Sequence, residues 1–247
     1  DAINYYTAEV SPAQFRKGSE VRKIILGIEQ EFNPDIVYSV GAPSYISFKN
    51  IEVLRLTNPL VIGGAKLAYT TYPIAKRLIE KAGVFVKRFY VNKKHYVITQ
   101  TETAKNLIVK NIGIRKDKVF VVSNVYSPIF DNDIVKETNP DQLNILVFAA
   151  PYLHKNLDLV PHVAHELVIR GVTNFKFTVT IPKENDIELF SNFEDLCRTL
   201  NVDSCIENIG KVNFKSAPYL YKGSDILFLP TLLEVFSVTY LESMASS

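Results

Sequence analysis

The sequence predicts an α/β protein built as two doubly wound parallel-sheet domains, and three observations carry that prediction. Strand-sized apolar runs alternate with helix-sized segments along the whole chain. Few turn signals separate neighbouring strands, and a polar stretch at 131–142 divides the alternation into two blocks. An all-β architecture is excluded by the same alternation. A chain of 247 residues can bury one large core or two modest ones. With 47% apolar residues and a net charge of +2 (28 basic against 26 acidic side chains), disordered, collagen-like and acidic-tail classes are excluded. So small a basic excess also argues against nucleic acid as a partner, since nucleic-acid binders gather a larger one on one face.

The elements follow in order. Val21, Ile24, Ile25, Ile28 and Phe32 recur at three- and four-residue spacing, an apolar helical stripe that Asn33-Pro34 stops. Residues 35–40 read as a strand ending at Gly41-Ala42-Pro43, and 52–57 as a second strand closed by Asn58-Pro59. A long helix is expected over about 66–89, then a strand at 96–100, a helix over 101–111 and a strand at 118–123, with Asn124 just beyond. The polar, proline-containing segment 131–142 reads as a linker between an N-terminal domain at 1–130 and a C-terminal domain at 143–247. In the second block, 143–149 is a strand. Leu157, Val160, Val163, Ala164 and Leu167 make a helical face closed by Gly171, and Pro161 requires that helix to begin shortly before it. Phe175, Phe177, Val179 and Ile181 alternate as a strand, Phe190, Phe193, Leu196, Cys197 and Leu200 form an amphipathic helix, and 226–229 is the last strand, before Pro230.

Cys197 and Cys205 stand eight apart without a CxxC, so reduced thiols and a cytoplasmic location are expected. No run approaches the roughly 18 apolar residues of a membrane helix. The chain starts at Asp1 without Met and stops at Ser247 inside an expected helix, so a piece truncated at both ends is expected and the lack of a targeting signal carries no weight.

In open parallel sheets, ligands bind beyond the carboxyl ends of the strands. Three strand ends carry polar groups: Asn124, then 151–156 with His154 and Lys155, then 231–234 with Glu234. Val238, Leu241 and Ala245 place a helix start near Ser237, so Glu234 precedes the helix and Glu242 lies on it. The N–H groups of Phe236, Ser237 and Val238 at the positive end of that helix would seat a phosphate. Glu242 would accept hydrogen bonds from ribose hydroxyls, and Glu234 from sugar hydroxyls. Lys155 would neutralise the same diphosphate, a charge-assisted contact worth about 1.5–3 kcal/mol, or roughly ten- to a hundredfold in affinity. These pieces converge on a nucleotide sugar.

At this point the chain resembles the retaining nucleotide-sugar glycosyltransferases of the GT-B fold (group 1, family 4-like). The resemblance rests on Glu234-x7-Glu242 followed by Ser243-Met244-Ala245-Ser246, on the preceding residues 223–230, and on His154-Lys155-Asn156-Leu157. Residues 96–102 and 118–124 resemble the closing segments of that family's N-terminal domain. The resemblance implies two Rossmann-like domains facing across a cleft, and no metal or cofactor beyond the UDP- or GDP-sugar substrate. It also implies transfer with retention to a saccharide or lipid-linked acceptor, as in cell-surface polysaccharide or glycolipid synthesis. It gives Glu234 the donor sugar and the catalytic role, Glu242 the ribose and Lys155 the diphosphate, with Phe236, Ser237 and Val238 assisting and His154 and Asn124 nearby. Two departures stand out. Val235 and Ser237 flank Phe236 where members commonly carry glycine, a loss that Ser237 would offset as an N-cap, and residues 148–154 lack the arginine that usually precedes the lysine.

Bland readings compete at each position. Thr239-Tyr240-Leu241-Glu242 fits a capping box, Glu234 a solvated loop acid, Lys155 a surface lysine and Asn124 a turn residue. His162 and His165 stand three apart on a helix without a third ligand, and His95 reads as structural. Gly63-Gly64-Ala65-Lys66 lacks the rest of a P-loop, and no GxGxxG follows a strand. Lys87, Arg88, Lys93 and Lys94, interleaved with Phe89, Tyr90 and His95, read as a solvated helix end or as a peripheral contact with anionic lipid at the inner face of a membrane. Two other classes stay open: a truncated or non-catalytic donor-binding module, and a two-lobed extracellular sugar-binding protein.

Overall fold

A computed structural model describes residues 6–14, 16–41, 43–131, 141–182 and 187–246. Most of the expected linker, 132–140, lies outside the described residues. Contacts divide the chain into two compact units, Asp1–Gly64 with Ile74–Ser123, and Ala65–Pro73 with Asn124–Ser247.

Unit 1 runs α1 (Gly18–Phe32), β1 (Ile36–Gly41), β2 (Ile51–Leu56), α2 (Pro59–Ile62), α3 (Ile74–Asn92), β3 (Tyr96–Thr99), α4 (Glu102–Ile112) and β4 (Val119–Val121). Asn33 ends α1 in the left-handed region (φ 41°), its N–H donating to Glu29 O, and Thr101 starts α4 by accepting from Ala104 N. The sheet is parallel in the order β1-β2-β3-β4. Strands added in one direction through right-handed crossovers put their helices on one face. Leu54, Leu56, Val97 and Val119 are buried on that face, with Val84 and Val91 of α3 and Ile108 of α4 in the core. On the other face Ile36, Tyr38, Val40, Phe120 and Val122 are 49–64% exposed.

Unit 2 runs β5 (Leu143–Val147), α5 (Leu159–Ile169), β6 (Phe175–Val179), α6 (Ile187–Thr199), β7 (Ile206–Asn208), α7 (Ala217–Lys222), β8 (Ile226–Leu227) and α8 (Val238–Ala245). Its parallel sheet has the order β7-β6-β5-β8, so the strands progress outward from β5 in both directions. Both faces are consequently covered. Ile145, Val147, Phe175, Phe177 and Val179 pack with Val160 and Ala164 of α5 and Phe193 and Cys197 of α6. Leu146, on the alternate face of β5, packs with Phe130, Ala217 and Tyr221.

Four expectations are corrected. The single helix over 66–89 is broken into a 3-10 turn at Ala68–Thr71 and α3, because Tyr72 ends the turn in extended backbone and Pro73 removes a backbone donor ahead of α3. The short strand β7 was not expected, since three residues give no readable alternation. The segments Ala65–Pro73 and Asn124–Phe130, both expected in a domain at 1–130, group with the second unit, and Phe130 is fully buried against Leu146, Ala217 and Tyr221.

The fourth concerns the basic cluster Lys87, Arg88, Lys93 and Lys94, which does not form one solvent face. Lys94 is buried, donating to Glu52 Oε2 (2.6 Å), Ser44 Oγ (2.8 Å) and Ile46 O (2.9 Å), while Glu52 Oε1 accepts from Ser39 and Ser44. Arg88 Nε donates to Val61 O at 2.8 Å, and Lys93 lies 4.1 Å over the Phe89 ring. Lys94 follows the end of α3, where the chain turns into β3, and the pleat of β2 directs Glu52 to the same interior face as Leu54 and Leu56. Through Ser44 and Ile46 the pair ties the connection between β1 and β2 to the sheet. Among the described residues no helix is long and apolar enough to cross a membrane.

Candidate functional site

In unit 2 the sheet reverses direction between β5 and β8, and the chain leaves their carboxyl ends toward opposite faces. That divergence opens the crevice in which open α/β sheets bind ligands. The two loops are laced together by one backbone hydrogen bond and two from side chains to backbone carbonyls. After β5, the 3-10 turn Leu153–Lys155 ends at Asn156 in the left-handed region (φ 54°), a conformation asparagine tolerates better than most residues. His154 O accepts from Leu232 N (2.8 Å) and Thr231 Oγ1 (3.3 Å), and Asn156 Nδ2 donates to Pro230 O (3.3 Å).

This lacing brings the Lys155 ammonium into direct contact with the Glu234 carboxylate as a close ion pair. Their side chains are 18% and 25% exposed, so Lys155 is not a surface lysine and Glu234 is not a solvated loop acid. His154 stacks on Tyr152 with ring centroids 5.7 Å apart and 5° between planes. Burial, reinforced by the neighbouring Lys155 charge, holds the His154 pKa below its ordinary value, with Glu234 opposing. Asn124 Nδ2 donates to Phe236 O at 3.1 Å, tying the start of unit 2 to the loop ahead of α8.

Helix α8 begins at Val238 with Ser237 in the N-cap position. Its first-turn N–H groups therefore start at Val238, two residues later than the start of the Phe236, Ser237 and Val238 set read from the sequence. The Ser237 hydroxyl does not cap the helix; it pairs with Thr239 Oγ1 at 2.7 Å. Thr239 lies inside the helix, so Thr239 and Glu242 form no capping box. Glu242 is 7% exposed, and its Oε2 accepts from the Tyr221 hydroxyl at 2.7 Å.

The structure thus joins Lys155 with Glu234, and Asn124 with Phe236, while Glu242 is held by a residue that no sequence motif singled out. Tyr221 sits at an ordinary apolar position of α7, and only the packing of α7 on α8 reveals its partner. The turn Ala68–Thr71, which packs on the Leu153–Lys155 turn, was equally illegible. His165 Nδ1 lies 2.9 Å from Leu200 O, a structural contact. A cavity of about 260 Å³ near the amino end of β8 is lined by Tyr221, Asp225, Ile226 and Ser246, and none of the residues expected in the site lines it.

No protein-family model and no curated protein sequence matches the chain. Solved structures do. A glycosyltransferase from Rickettsia africae matches at 16% identity and TM-score 0.66, over 99% of this chain and 63% of that one. Sucrose-phosphate synthase from Thermosynechococcus elongatus matches at 9% identity and TM-score 0.71, over 92% and 58%. Anabaena HepE, solved in complex with UDP and glucose, matches at 11% identity and TM-score 0.65, over 92% and 60%. The chain spans about half to two thirds of the length of these three structures. At such identities the likeness establishes architecture, and that architecture is the GT-B fold, with two Rossmann-like units in one chain.

Proposed function

We propose that this chain belongs to a glycosyltransferase that moves a sugar from a UDP- or GDP-sugar to a saccharide or lipid-linked acceptor with retention of configuration, and that unit 2 holds the donor. The observation that carries the reading is the Lys155–Glu234 pair at the β5/β8 reversal. An ammonium held there meets the diphosphate as negative charge builds on it, and the positive end of α8 adds to the same stabilisation. When the diphosphate takes over the ammonium, Glu234 is released to accept hydrogen bonds from the donor sugar's hydroxyls, and Glu242 takes the ribose. Positioning and electrostatics then supply most of the rate.

The test is calorimetric titration of the chain with UDP, GDP, ADP and their sugars. Binding of at least one nucleotide is expected, with Lys155→Ala weakening it roughly ten- to a hundredfold. Glu234→Ala should lower sugar transfer with little change in melting temperature. Absence of nucleotide binding, or unchanged affinity in Lys155→Ala, overturns the reading. A donor-binding module without transfer is the second reading, favoured by the lack of an arginine in 148–154; nucleotide binding without turnover selects it.

A further inference from the structure

Glu242 is a buried acid whose side chain has one partner among the described residues, the Tyr221 hydroxyl. A carboxylate offers about four acceptor sites, and buried polar groups are seldom left unpaired. Tyr221 occupies one site on Oε2, and Oε1 is not among the side-chain atoms sealed from solvent without a partner, so it keeps the access to accept from water or from an incoming O–H or N–H donor. The Tyr221 ring has little freedom to move. It is 5% exposed, edge-on to Phe130 with centroids 5.7 Å apart and tilted against Phe148 at 5.4 Å. Burial first, and the hydrogen bond to Glu242 second, push its pKa far above the ordinary phenol value, so the hydroxyl keeps its proton and remains a donor. The terminal torsion of a glutamate is broad and roughly two-fold, and a fixed donor on one oxygen selects a single orientation.

We propose that Tyr221 is a positioning residue that clamps Oε2 of Glu242 and so presents Oε1 to the ribose hydroxyls of the nucleotide. The inference rests on the reading of Glu242 as the ribose acceptor and adds how α7 sets that acceptor's geometry. Phe148, next to the carboxyl end of β5, packs on the same ring, so the clamp is tied to the strand that leads into the Lys155 turn.

The experiment compares whichever of UDP, GDP and ADP binds the wild-type chain with its 2′-deoxy and 3′-deoxy forms, by calorimetry, in wild type, Glu242→Gln and Tyr221→Phe, with melting temperatures measured alongside. Tyr221→Phe is expected to lose about tenfold in ribonucleotide affinity, the worth of one hydrogen bond, and to leave deoxynucleotide affinity unchanged. Discrimination between the two sugars should therefore fall. Retained discrimination in Tyr221→Phe, equal weakening of ribo and deoxy forms, or a Tyr221→Phe chain that is unfolded at the assay temperature each overturns the clamp. Retained discrimination in Glu242→Gln instead overturns the ribose reading itself, and failure of all three nucleotides to bind wild type overturns the proposed function.

Discussion

The two units are both four-stranded parallel sheets, yet they distribute their helices differently. Unit 1 adds strands in one direction, β1 to β4, and its helical side buries Leu54, Leu56 and Val97, while Tyr38 and Val40 on the opposite side stay more than half exposed. Unit 2 builds outward from β5 both ways and covers both faces, as the separate clusters around Phe177 and around Phe130 attest. The reversal that covers the second face also separates the loops after β5 and β8, and the Lys155–Glu234 pair sits where they part. The order in which strands join a sheet therefore decides both where apolar surface is left bare and where a polar site can form.

Three measurements break or sharpen this comparison. The largest effect is expected in unit 1, where the connection between β1 and β2 relies on a buried ion pair. Lys94→Ala should cost about 3–5 kcal/mol by stranding the Glu52 carboxylate. Lys94→Met combined with Glu52→Leu should recover most of that loss. Hydrogen exchange at β2 and β3 amides reads the stability of this unit separately from the other.

Next comes a contrast between covered and bare sheet faces. Phe177→Ala, at 1% exposure in unit 2, should destabilise by about 3–5 kcal/mol. Val40→Thr, at 64% exposure in unit 1, should change stability by less than about 0.5 kcal/mol. Binding of a hydrophobic dye to the folded chain should fall in a Tyr38→Ser, Val40→Thr, Phe120→Thr variant. Equal costs for Phe177→Ala and Val40→Thr, or unchanged dye binding, would mean that the unit 1 face is covered in solution.

The smallest effect is a pH dependence in unit 2. The pKa of His154 is depressed in the folded state below its ordinary 6.5. The unfolded chain therefore binds its proton first, and this residue's contribution is intact above 6.5 and lost as pH falls from there toward the folded pKa. Urea midpoints followed at β5 and β8 should decline over that window in wild type and flatten in His154→Gln. An identical decline in the variant would assign the effect to other groups.

Much of this architecture was legible along the chain. Period-two runs such as Phe175, Phe177 and Val179 and three-four stripes such as Leu157, Val160 and Ala164 are local signals, and they placed seven of the eight strands among the described residues. Glu234 and Lys155 were legible as candidates because each follows a strand end, and a strand end is a local feature. Lys94 was misread for the same reason: beside Lys93 and His95 it looks like part of a solvated basic run, and only its partner on β2, 42 residues away, makes it a core residue. Tyr221 lay beyond local reading because its meaning is its contact with Glu242, 21 residues on.

The amino-acid sequence by itself determined the α/β class, the two blocks of alternating elements, and which strand ends carry charge, since all three are written in short-range periodicity and punctuation. Only the tertiary structure decided that strand addition reverses in unit 2 and not in unit 1, that Lys155 closes on Glu234, and that Tyr221 holds Glu242. Those outcomes depend on contacts between residues tens of positions apart, whose energies come from burial and hydrogen-bond geometry that no local pattern encodes.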